Sequence, residues 1–150
     1  MSICDNRNRC FFYFEIEHAI ETHDWIIKNS GGFPGIKNIE QLESPLIHIQ
    51  NDDYYPELED KLTHLVYSIN KNHAFNDGNK RSSLALGAYF LELNGFDYLV
   101  KKFIFEMENI AVWVANNQVD KELLLQIVSS ILYEDEFSES LKLVLIKAIR

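Results

Sequence analysis

Residues 73 to 81 read His-Ala-Phe-Asn-Asp-Gly-Asn-Lys-Arg, and they gather most of the side chains in this sequence that can do chemistry together. An imidazole such as His73 titrates near neutral pH and can take a proton from a hydroxyl. Asp77 is a hard oxygen ligand of the kind Mg²⁺ takes beside phosphate oxygens. Gly78 has no Cβ, so the backbone there can come close to an anion. Lys80 and Arg81 add two positive charges, the second as a fork that grips two phosphate oxygens. Phe75 is the apolar anchor expected to point inward and hold the loop. A base, a metal-ligating carboxylate and an anion-binding end suit phosphoryl or nucleotidyl transfer.

The bland reading has weight. Asn76-Asp77-Gly78-Asn79 is by itself an ordinary turn, and a histidine at a helix end is commonly a surface residue. Lys and Arg in a first helical turn, however, oppose the helix dipole. That misfit makes sense where an anion binds.

Apolar spacing around the loop is helical. Leu58, Leu62, Leu65, Val66 and Ile69 form one face after Pro56, which suits a helix start. The stretch from Leu84 to Leu91 is apolar almost all round and belongs inside the core, in a helix starting near Asn79. Gly87 within it points to close contact with another helix. A first helix is expected from Phe12 to Asn29, stopped by Gly31-Gly32, and a short one around Ile39 to Leu46. Phe96 to Phe105 suggests an extended piece before a helix at 103 to 117. Asp120 and Ser138 are N-caps for two more helices, the first running to about Leu132. The expectation is a single all-α domain over residues 1 to 150, a helical bundle with a buried central helix after the motif loop.

At 150 residues and 47% hydrophobic, the chain is long and apolar enough for one buried core. A formal charge of -9 argues against nucleic-acid and anionic-membrane partners. No apolar run approaches the ~20 residues of a membrane helix, and no signal peptide is read. Cys4 and Cys10 make no disulfide framework, so a reducing cytoplasm is expected. His18, His23, His48 and His64 lack a zinc spacing such as His-Glu-x-x-His.

The motif resembles the signature of the Fic/Doc family, His-x-Phe-x-[Asp/Glu]-[Gly/Ala]-Asn-[Gly/Lys]-Arg, at His73, Phe75, Asp77, Gly78, Asn79, Lys80 and Arg81. His23-Asp24, Gly31-Gly32-x-Pro34-Gly35, Leu42-Glu43-Ser44 and Glu92-Leu93-Asn94-Gly95 look like the death-on-curing branch. The resemblance extends over about residues 13 to 132, leaving a helical extension at about 133 to 150. It implies a mostly helical fold and a toxin-like transferase acting on a hydroxyl of a target protein, Ser or Thr with Tyr as an alternative. His73 would be the base and Asp77 the Mg²⁺ ligand. Phe75, Gly78, Asn79, Lys80 and Arg81 would make the nucleotide-binding end, and the loop between 30 and 56 would lie where family members guide the target.

Fic adenylyltransferases usually read Gly-Asn-Gly-Arg-x-x-Arg. Here Lys80 replaces the second Gly and Leu84 the second Arg. Both changes favour a γ-phosphate over an α-phosphate at the helix end, with AMP transfer and a non-catalytic nucleotide-binding module as alternatives. Self-restraining relatives carry [Ser/Thr]-x-x-x-Glu-[Gly/Asn]. Ser130 to Glu134 is followed by Asp135, so restraint by a separate antitoxin is expected.

Overall fold

The computed structural model describes residues 2–4 and 10–150. A short antiparallel ribbon, β1 (Ser2–Cys4) with β2 (Cys10–Phe12), precedes α1 (Ile16–Ser30) and α2 (Glu40–His48). Then come α3 (Leu58–Lys71), α4 (Asn79–Leu93), a 3₁₀ turn (Asp97–Leu99) and α5 (Val100–Ala115). Two last helices, α6 (Lys121–Tyr133) and α7 (Glu139–Ala148), complete the chain. The fold is all-α, as the apolar spacing predicts.

The terminating chemistry of the sequence is used where it was read. Gly31 stops α1 with φ 88°, its N–H donating to Ile27 O at 2.9 Å. Asp120 and Ser138 accept from the N–H groups of Leu123 and Leu141, satisfying donors the helix cannot. Two expectations are corrected. The first helix begins at Ile16 rather than Phe12, because residues 10 to 12 pair with β1. Phe96 to Phe105 holds no extended piece; a 3₁₀ turn runs straight into a helix at Val100. Of the two cysteines, which make no disulfide framework, Cys10 is disulfide-bonded and stands opposite Cys4 in Cα register.

Helix α4 lies inside the bundle, against α1, α3 and α5. A methyl on Gly87 would come 2.8 Å from Val66 Cγ2 and 3.0 Å from Phe103 Cζ, so this glycine sets the approach of α4 to both neighbours. Helix α3 is more enclosed still and touches α2, α4, α5 and α6. Leu62, Leu65, Val66 and Ile69 are fully buried on it, and burial of four such side chains stabilises by roughly 1.5–3 kcal/mol each. Even its Lys61 is buried. The ammonium donates to Ile49 O and Asp52 Oδ1, both at 2.6 Å, and sits 4.8 Å from the ring centre of Phe11. At its C-terminal end Asn70 Nδ2 donates to Ala111 O of α5 at 3.0 Å. The motif loop thus leaves a helix fixed on every side and enters another fixed the same way.

Candidate active site

Two devices build the loop between α3 and α4. The first is internal: Asn79 closes a ring with Phe75, accepting from its N–H at 3.1 Å and donating to its carbonyl at 3.0 Å. The second is the segment after α1, which lies antiparallel to the motif. Asn76 N donates to Gly35 O, and Ala74 O accepts from Lys37 N and Asn38 N, with Ile36 and Phe75 as bridge partners. Phe75 itself is 1% exposed and points into the core. Its part in any ligand site is therefore to anchor the loop, not to touch the ligand.

His73 departs from that regularity. Its backbone sits in the left-handed region at φ 52°, which costs a β-carbon-bearing residue about 1–2 kcal/mol. The strain turns the chain out of α3 and leaves the imidazole exposed, with no hydrogen bond or ion pair to any described residue.

Asp77 is held by backbone donors. Oδ2 accepts from Phe33 N at 3.0 Å and Oδ1 from Gly78 N at 2.8 Å. The N–H of Phe33, then that of Gly78, hold its carboxyl below the usual carboxylate range, so it is ionised at neutral pH. Lone pairs remain on both oxygens for a metal.

Gly78 N-caps α4 in the left-handed conformation, φ 78° and ψ 17°. The helical ladder starts with Ser82 N donating to Gly78 O, which leaves the N–H groups of Asn79, Lys80 and Arg81 without a carbonyl partner. The first turn of α4 holds no acidic side chain to offset the positive end. Lys80 is exposed and its ammonium has no described partner. Arg81 is partly engaged: Nη1 donates to Ser30 Oγ and Gly31 O, both at 2.8 Å, which clips the end of α1 to the start of α4.

These parts face one cavity of about 400 Å³, lined by Asn70, His73, Asn76 to Arg81 and Ala115. Six of the seven residues singled out from sequence line it, and Phe75 does not. The arrangement offers a strained base without a partner among the described residues, an ionised carboxylate, free helix N–H groups and two cations. That combination can hold a phosphorylated ligand with its metal and take a proton beside it.

Sequence reasoning missed two contributors. Asn70 is 2% exposed and lines the cavity, with Oδ1 unpartnered. His23, from α1, reaches the loop from behind and contacts Asp77 O at 2.6 Å. The pair His23-Asp24 was visible as a family trait, but nothing local says that this ring crosses to residue 77. Likewise His48 and His64, dismissed for want of metal spacing, meet at 3.1 Å, with Lys121 Nζ 2.7 Å from His64. This second cluster lies along α3, outside the cavity.

Comparison with known proteins agrees with the loop. Over 83 residues the chain is 35% identical to "Protein kinase doc" of Escherichia phage P1, covering 53% of this chain and 65% of that protein. Over 76 residues it is 34% identical to "Toxin Doc" of Mycolicibacterium smegmatis, covering 51% and 58%. The matches thus span less than two thirds of either relative. The sequence model of the Fic/DOC family matches residues 13–91, from just before α1 almost to the end of α4. That stretch is more than half of the chain and holds the motif, the segment that fixes it and all but one of the cavity's lining residues. The chain belongs to the Fic/DOC family.

Proposed function

We propose that the chain is a toxin-type transferase that moves the γ-phosphoryl group of ATP, or of a related nucleotide, to a Ser or Thr hydroxyl of a target protein. The observation that carries this reading is the convergence of His73, Asp77, Lys80 and Arg81 on one cavity, in front of a helix N-terminus with free N–H groups. In the step, the target hydroxyl oxygen bonds to the γ-phosphorus while the bond to the bridging oxygen breaks and nucleoside diphosphate leaves. His73 takes the hydroxyl proton. The N–H groups of residues 79 to 81 and the Lys80 ammonium hold the phosphoryl oxygens as charge redistributes. Arg81, fixed by Ser30 and Gly31, supplies a stationary positive charge.

Asp77 fits Mg²⁺ by its donor chemistry. It is one ionised carboxylate on the cavity wall, and no group of three or more ligating side chains surrounds it among the described residues. Mg²⁺ in nucleotide sites takes one or two carboxylates and fills its shell with phosphate oxygens and water. Bound there, it would neutralise phosphate charge.

The names of the two relatives, a protein kinase and a toxin, support the same reaction class and a toxin's role here. Leu84 stands where an adenylyltransferase carries its second arginine, and it packs against the core. Glu134 does not line the cavity. Restraint therefore falls to an antitoxin supplied in trans. ATP labelled at the α or the γ position, incubated in parallel with the protein and bacterial extract, tests the reaction. Label reaches protein from the γ position only. Label from the α position only would replace this reading with AMP transfer, and nucleotide binding without any labelled product would reduce the chain to a binding module.

A further inference from the structure

His23 is 1% exposed, and the oxygen it meets, Asp77 O, can only accept a hydrogen bond. Nε2 therefore carries the proton and donates, at 2.6 Å. The ring lies flat on Phe75, centroids 3.7 Å apart and planes 3° from parallel. Nδ1 has no hydrogen-bond partner among the described residues, with Asp24 Oδ1 at 3.8 Å. The ring is thus placed by stacking and spends its donor on one carbonyl. That carbonyl belongs to the peptide joining Asp77 to Gly78, whose N–H donates to Asp77 Oδ1.

A peptide entering a glycine turns over easily, because glycine accepts either sign of φ. Turned over, this one would move the Asp77 carbonyl away from α1 and take the Gly78 N–H from the carboxylate it fixes. The free N–H groups of α4 begin one residue later, so the flip would disturb both the metal ligand and the anion-binding end.

We infer that His23 is a positioning residue, a lock on the Asp77–Gly78 peptide plane. Its consequence for transfer rests on the function proposed above; the lock itself does not. His23→Phe keeps a ring on Phe75 and removes the donor, whereas His23→Gln keeps an N–H at the reach of Nε2. The readouts are the ¹H–¹⁵N resonance and solvent exchange of the Gly78 amide, together with kcat, KM for ATP and the magnesium midpoint of transfer. His23→Phe shifts the Gly78 resonance and speeds its exchange. It also lowers kcat on the order of 10²-fold, the cost of a small misplacement, and raises the magnesium midpoint. His23→Gln returns all of these towards wild type. Native Gly78 behaviour and kinetics in His23→Phe would overturn the lock. So would equal losses in both variants, which would mean that ring packing matters and donation does not. If His23→Phe fails to fold, His23→Leu is read by the same criteria. Absence of transfer by the wild-type protein would sink the functional reading alone, since the Gly78 amide still reports on the peptide.

Discussion

Helix α3 touches two groups of titratable side chains, and they are built on opposite plans. At its C-terminal end His73 and Lys80 have no hydrogen-bond partner for their side chains among the described residues, and backbone N–H groups hold the Asp77 carboxylate. Midway along it, His64 is 8% exposed and every polar atom of its ring is spent. Lys121 can only donate to Nδ1, so the His64 proton lies on Nε2 and goes to His48 Nδ1. Tyr55 stacks over the same ring with centroids 4.3 Å apart. Residue types alone would have ranked the two groups alike. The first group keeps its side chains free on a scaffold that satisfies itself; the second spends its polar atoms joining α2, α3 and α6.

If that contrast is right, the largest effect is at His73. His73→Ala lowers transfer by ~10²–10⁴-fold and leaves the thermal midpoint within error, because the side chain is exposed and bonds to none of the described residues. A parallel loss of stability would erase the distinction between the two groups.

Asp77→Asn sharpens it from another side. The amide keeps one acceptor oxygen, for Phe33 N or for Gly78 N but not for both, so the charge and one of the two bonds that hold the side chain are lost. The magnesium concentration for half-maximal transfer rises by at least about 10-fold, and the lost bond lowers stability in urea by about 0.5–1.5 kcal/mol. An unchanged magnesium midpoint would make Asp77 a turn residue only.

The His64 cluster answers to acid. Burial first, then Lys121 and His48, pushes the His64 pKa down to about 4 from an ordinary value near 6.5. Between those values the unfolded chain binds the proton and the folded one does not. Stability from this site is therefore complete above about pH 6.5 and is lost as pH falls towards 4. The loss is roughly 1–2 kcal/mol once solvent screening is discounted. Urea unfolding of wild type and His64→Gln at pH 7.5 and 4.5 measures it, and an equal pH response in both proteins would refute it.

The smallest effect is at Asp120, whose side chain caps α6 next to Lys121. Asp120→Ala costs about 0.5–2 kcal/mol by urea unfolding and leaves kcat unchanged. A fall in kcat would mean that the α6 end communicates with the cavity.

How much of this was legible depended on how far each signal reaches along the chain. Gly31, Asn79, Asp120 and Ser138 mark helix ends through bonds a few residues long, so the sequence states them directly. The motif residues could be named because their types and spacing are local too. Phe12 was misplaced because an apolar residue fits a strand and a helix start equally well, and only the pairing with β1 decides. Lys61 could not be foreseen as buried, since its charge is met by Asp52 and the Ile49 carbonyl in the segment between α2 and α3, 9 and 12 residues back. His23 and the His48–His64–Lys121 chain depend on partners brought in from other helices. No window along the chain contains them.

The bonds that orient the motif have a consequence for the order in which the protein assembles. His23 to Asp77 spans 54 residues, Phe33 to Asp77 44, and Ser30 to Arg81 51. Contacts so distant close large loops and are expected late on the folding path. Helices α3 and α4, joined by a short turn, can pair early, before α1 returns to cover the loop between them. Weakening Ser30, Phe33 or His23 contacts should then speed unfolding while leaving the folding rate nearly unchanged. On that order of events, the bundle forms while the motif is still slack, and the cavity takes its final shape only when the last long-range bonds close.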